Sequence, residues 1–177
     1  MSWLFPLAKC NGIPINYHPG AFGFHRKHSF HTGIDLYTYH NSFVYAVEDG
    51  EVTGVENFTG PKDNSPWWLD TKCVLVYGKT GTVCYGEIFP LVESGFVQKG
   101  DTIGFVIPVL PEHKFRPDIP GHSRFMLHLE LYSGRRDRAS ESWLSAKTEG
   151  FLLDPTPHIL SSENRPQNLL CLSKLYS

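Results

Sequence analysis

The stretch FHTGIDLY, residues 30–37, sets a histidine and an aspartate four residues apart around a Thr-Gly pair. His31 and Asp35 are residue types that bind a divalent metal, and they are equally ordinary as two polar residues on a strand. At helical spacing the two would share a face, but Gly33 between them is a poor helix former. In a straight strand they also share a face, yet a rise of ~3.3 Å per residue leaves them ~13 Å apart. Metal–ligand bonds of ~2.0–2.2 Å require donor atoms only ~3–4 Å from one another. The pair chelates only if the chain bends between its members, and Gly33 is the residue that permits a bend or bulge.

Two further segments carry titratable residues on patterned strands. In RFMLHLELY, residues 124–132, alternation sends Phe125, Leu127, Leu129 and Leu131 one way, and Met126, His128, Glu130 and Tyr132 the other. The leucines supply a core, so His128 and Glu130 belong to a face that is solvated or lines a cleft. KCVLVYGKTGTVCYGEI reads as a hairpin with its tip at Gly78-Lys79-Thr80-Gly81. Counting from that tip puts Val83, Tyr85 and Glu87 on one side, with Thr82, Cys84 and Gly86 on the other.

The elements that must position these residues are mostly strands. FVYAVEDGEVTGVE predicts two short strands around Glu48-Asp49-Gly50, and GFVQKGDTIGFVIPVL another after the turn at Lys99-Gly100-Asp101. Only ASESWLSAK, residues 139–147, suggests a short helix, before LLDPTPHIL closes the domain. Strands at short intervals with glycine turns imply a mainly β fold, an antiparallel sheet arranged as a sandwich or barrel. Residues 1–160 read as one domain and 161–177 as an appended tail that either packs or frays.

Composition bounds the rest. The chain has 177 residues, enough for a real core, and a net charge of −2, which argues against a nucleic-acid or anionic-membrane surface. Its start, MSWLFPLAKCNG, lacks a basic segment before its short apolar run, so no signal peptide is read and a cytoplasmic location is expected. Cys10, Cys73, Cys84 and Cys171 lack zinc-ribbon spacing, and four reduced thiols are expected, with Cys73 and Cys84 diagonal on the hairpin. Trp67 and Trp68 are adjacent in the polar loop GPKDNSPWWLD. Neighbours rarely bury in one core together, so at least one can rim a cleft, packing being the alternative for each.

In order, FGFHRKHSFHTGIDLY, VYAVEDGEV, CYGEI, VQKGDTIGFV, MLHLELY and LLDPTP resemble the lysostaphin-type zinc endopeptidase family, with its LytM-like peptidase domain. That family carries an H-x-x-x-D segment, a Y-x-H segment in a central hairpin, a K-G-x-x-I-G turn, an H-x-H segment on a late strand and a D-P close. The resemblance runs from about Phe5 to Leu160. It implies that His31, Asp35 and His128 bind zinc, leaving an open position where a water is acidified toward a pKa of ~7.

Two departures stand beside these matches. The family's catalytic histidine positions are occupied here by Glu87 and Met126. Methionine neither transfers a proton nor donates a hydrogen bond. Glutamate can act as a general base or serve as a fourth ligand. YGEI, MLHLELY and RKHSFHTGIDLY are also similar to a bacterial offshoot of the family that carries these replacements. His28 is placed to approach the metal or orient a ligand, and Glu130 either supports the His128 ring or is a solvated surface residue. His25, His113, His122 and His158 read as ordinary surface or loop histidines. The resemblance thus implies a zinc-dependent amide hydrolase with a peptide or peptidoglycan-like substrate and Glu87 as base, or a metal-binding interaction module without catalysis. A lipoyl-type carrier domain is a remote third reading, since Lys79 in YGKTG lacks the setting of a modified lysine.

Overall fold

Strands are the dominant regular structure of the molecule. The computed structural model describes residues 2–27, 29–139 and 150–173, and it is mainly β. The strands are β1 (Ile13–Pro14), β2 (Ile34–Tyr37), β3 (Phe43–Tyr45), β4 (Gly50–Thr59), β5 (Thr71–Gly78), β6 (Thr82–Pro90), β7 (Gly95–Val97), β8 (Thr102–Val106), β9 (Met126–Tyr132), β10 (Leu152–Leu153) and β11 (Cys171–Leu172). One five-residue helix, α1 (Thr156–Leu160), follows β10. The expected helix at 139–147 lies outside the described residues apart from Ala139, and so does His28. No helix among the described residues is long and apolar enough to cross a membrane.

The main sheet runs β10-β9-β6-β5-β4-β7, with β2 paired to β9 and β8 joining β3 to β6. The hairpin of β5 and β6 turns at Gly78–Gly81 as its sequence predicts. The segment around Glu48-Asp49-Gly50 is flanked by two strands as its sequence predicts, β3 and β4, although β4 runs to ten residues rather than being short. The two do not pair with each other: β3 pairs with β8, and β4 with β5 and β7. A turn signal fixes a change of direction but not the partner on its far side.

On β9 the alternation holds. Leu127, Leu129 and Leu131 enter the main core with Ile34 and Leu36 of β2, and Phe125 packs against it. Each such buried side chain contributes ~1.5–3 kcal/mol. The opposite side is buried as well, in three parts. Met126 packs with Tyr37, Val109 and Leu110. Tyr132 packs with Cys73, Leu75, Cys84 and Leu152. His128 and Glu130 lie between these two apolar patches.

β6 changes partner midway. Thr82–Gly86 pair with β9, and Ile88–Pro90 with β8. Across the hairpin, Val74 faces Tyr85 and Lys72 faces Ile88, so Gly86 and Glu87 together oppose Cys73. This is a β-bulge, and Glu87 adopts φ 66°, uncommon for a residue with a Cβ. The extra residue overturns the parity count. Val83, Tyr85 and Ile88 share the core, while Glu87 leaves their face and lines a cleft beside β9.

The tail packs through its described part. β11 pairs in parallel with β1, and the Glu163 backbone N–H donates to Trp3 O at 2.7 Å. All four cysteines are free thiols, Cys73 and Cys84 buried side by side on the diagonal of the hairpin.

Candidate metal centre

The bend that the His31–Asp35 spacing requires is present. β2 begins only at Ile34, and the chain bends at Gly33, ahead of it. A Cβ at position 33 would stand 2.4 Å from Leu129 O and 2.8 Å from His128 Nε2, so only glycine lets the backbone pass this close over the His128 ring. Just upstream the chain loops back on itself. The His31 N–H donates to Phe24 O at 2.9 Å, and the Gly23 N–H to His31 O at 2.9 Å. The Asp35 N–H donates to Gly20 O at 2.8 Å, tying the same loop to β2.

The β2–β9 register sets Asp35 directly opposite His128. His31 Nε2 lies 3.1 Å from Asp35 Oδ1 and 3.1 Å from His128 Nδ1, and His128 Nδ1 lies 2.8 Å from Asp35 Oδ1. Three donor atoms on three buried residues therefore converge on one point. The outer ring nitrogens are engaged elsewhere. His31 Nδ1 is 2.9 Å from Ala21 O, and His128 Nε2 is 3.0 Å from Glu130 Oε1. Both acceptors call for an N–H on the outer nitrogen, which turns the inner nitrogens of His31 and His128 toward each other and toward Asp35. Glu130 is itself held by the Tyr132 hydroxyl and by Thr32. Far from being solvated, Glu130 is 1% exposed and orients the His128 ring.

The electrostatics express a demand for positive charge. Burial lowers His31 below its usual range, against the pull of Asp35. Burial also opposes ionisation of Asp35, but His31 and His128 outweigh it and hold that carboxyl well below the usual carboxylate range. His128 is driven up to about 10: burial works against its charge, and hydrogen bonds to Asp35 and Glu130 overcome it. A proton on His128 thus does in the chain alone what a cation does among three such donors. The donor set, two imidazoles and one carboxylate with a second carboxylate behind, fits a zinc-type ion.

Glu87 faces the same cleft from the bulge. Its Oε2 is buried with no hydrogen-bond partner among the described residues. Burial, then the Asp35 carboxylate, push its carboxyl up to about 8. A leftover buried acceptor beside converging donors is what a site completed by a ligand leaves behind. Met126, by contrast, is packed into the cleft wall and brings no proton chemistry.

The cleft has a volume of about 1190 Å³. Trp68 lines it, under the Lys114 ammonium 5.3 Å from its ring centre, whereas Trp67 is 56% exposed and outside the lining. Arg26 and Tyr37, which the sequence reading passed over, and His122, which it read as an ordinary loop histidine, also belong here. Arg26 Nη2 stands 3.6 Å from Asp35 Oδ2, on the side away from the imidazoles. Tyr37 and His122 form a further wall, ring centres 5.2 Å apart, with His122 half-buried rather than an ordinary loop residue. Tyr37 was accessible to parity, since it follows Asp35 by two on one strand. Arg26 and His122 sit on loops, where no periodicity reports facing.

No protein-family model and no curated protein matches the chain. Among solved structures, a zinc-containing peptidase from Vibrio cholerae is similar at 16% identity and TM-score 0.48, over 73% of this chain and 36% of that one. Helicobacter pylori Csd3 is similar in two crystal forms. The orthorhombic form gives 18% identity and TM-score 0.44 over 84% of this chain and 39% of that one, the hexagonal form 20% and 0.41 over 82% and 38%. The chain spans well under half the length of these proteins. What the site can do follows from its own donors.

Proposed function

We propose that this chain is a zinc-binding hydrolase of lysostaphin type that cleaves an amide in a peptide or peptidoglycan-like substrate. The observation that carries the reading is the triangle of His31 Nε2, Asp35 Oδ1 and His128 Nδ1, no side longer than 3.1 Å. These three residues would hold the ion. When bound, zinc supplies Lewis acidity, polarising a carbonyl and lowering the pKa of a water. Glu130 keeps the His128 ring turned so that Nδ1 faces inward. Glu87 takes the proton from the attacking water and returns it to the departing amine. Burial and Asp35 raise its proton affinity, which suits holding the proton for the amine, and a nearby cation lowers that affinity, which suits taking it from the water.

A second reading, a metal-binding interaction module without catalysis, is favoured by Met126. Its thioether stands in the cleft wall where the resembled family has a catalytic histidine. Glu87→Gln separates the two. A hydrolase keeps its zinc and loses peptide hydrolysis by roughly 10²–10⁴-fold. A module hydrolyses nothing before or after the change, and loses zinc affinity if Glu87 is a ligand.

A further inference from the structure

Amide hydrolysis needs more than a nucleophile and a base. Negative charge develops on the carbonyl oxygen, and a fixed hydrogen-bond donor aimed at it is often the largest single contribution. His31 and His128 have their outer N–H groups committed to Ala21 O and Glu130, and Glu87 has an acceptor role. Met126 has no proton to offer.

Directly across the β2–β9 register from Met126 stands Tyr37. It shares its strand face with Asp35, two residues earlier, and lines the cleft. Tyr37 is only 3% exposed, and its ring is held between two histidines, His18 at 5.8 Å and His122 at 5.2 Å between ring centres. His18 is itself fixed. Its Nε2–H donates to Pro120 O at 2.7 Å, and its Nδ1 accepts from the Gly20 N–H at 3.0 Å. Gly20 lies against the phenol: a Cβ there would stand 3.0 Å from Tyr37 Oη and 3.1 Å from Asp35 Cβ. The hydroxyl is therefore a locked group beside Asp35, and it makes no hydrogen bond to another described residue.

We infer that Tyr37 is the oxyanion donor of the site, its hydroxyl hydrogen-bonding the carbonyl oxygen of the amide being cleaved. The inference rests on the hydrolase reading above. Tyr37 keeps its proton throughout. A C–O bond forms between water and the carbonyl carbon, the C–N bond breaks, and the water's proton travels through Glu87 to the amine nitrogen. The phenol strengthens its hydrogen bond as charge grows on the oxygen and relaxes as the carboxylic product forms.

The test is Tyr37→Phe in the zinc-loaded chain, probed with a phosphinate pseudopeptide whose tetrahedral phosphorus replaces the amide carbon. Removing a hydroxyl that holds no partner among the described residues leaves none of them unpaired, so the thermal midpoint and zinc content are expected to stay at wild-type values. Phosphinate affinity is expected to fall tenfold or more. Peptide kcat is expected to fall by roughly 10²–10³-fold, the scale of one oxyanion donor, with KM little changed. Unchanged phosphinate affinity and kcat would overturn the inference alone. So would loss of zinc or of thermal stability in step with activity, because that marks a structural role. A wild-type chain that holds zinc but neither binds the phosphinate nor hydrolyses peptide would overturn the hydrolase reading and this inference together.

Discussion

The two faces of the β2–β9 pair are buried alike and held by opposite physics. On one face Ile34, Leu36, Leu127 and Leu129 are fully buried, each side chain stabilising the fold by ~1.5–3 kcal/mol. On the other, alternate residues of the same strands bring Asp35 and His128 together, with His31 and Glu130 beside them, all no more than 6% exposed. Taking a charge out of water there costs several kcal/mol per ion, offset only by hydrogen bonds and opposite charge. The apolar face supplies stability and the polar face spends it. One strand pair can do both because its side chains alternate.

That contrast predicts separable failures. Leu129→Ala opens a cavity on the apolar face and is expected to destabilise the chain by ~2–5 kcal/mol in urea unfolding. The protein that remains folded should bind zinc normally. Comparable losses of stability and zinc affinity would mean that the faces are not independent. Glu130→Gln acts on the polar face. It keeps the shape but weakens the acceptor that turns the His128 ring, so zinc affinity is expected to fall about 10–100-fold in a chelator competition.

The smallest effect is a pH slope in the zinc-free chain. Glu87 has its folded pKa raised from an ordinary 4.5 to about 8 by burial and Asp35. Between those values the folded chain holds more of this proton than the unfolded chain does, so this contribution is full below about 4.5 and is lost as pH rises through about 8. Glu87→Gln removes it. The stability difference between variant and wild type should therefore change in the variant's favour from pH 5 to pH 9. A difference that does not move with pH would contradict burial of the Glu87 carboxyl.

How much of this was legible beforehand depends on whether a residue lies in an uninterrupted period. β9 alternates without interruption, and its two faces fell where counting put them. The β5–β6 hairpin was equally readable until Gly86, where one extra residue in the bulge inverted the parity of Glu87. Gly86 in CYGEI is a local sign that a bulge is permitted there, but that the extra residue re-aims Glu87 depends on β6 exchanging β9 for β8, which is nonlocal. Gly33 marked the needed bend between His31 and Asp35. Its contact with Leu129 O belongs to a strand nearly a hundred residues away. The adjacency of Arg26 to Asp35 depends on a loop path that patterning does not describe.

The proposed function requires three side chains, from β9 and from the bend into β2, to hold one metal ion. Its most direct test is elemental analysis of the chain purified without added metal, alongside His31→Ala and His128→Ala. About one zinc per chain is expected in the wild type and close to none in either variant, since two remaining donors are too few. A metal-free wild type, or stoichiometric metal retained by both variants, would contradict it.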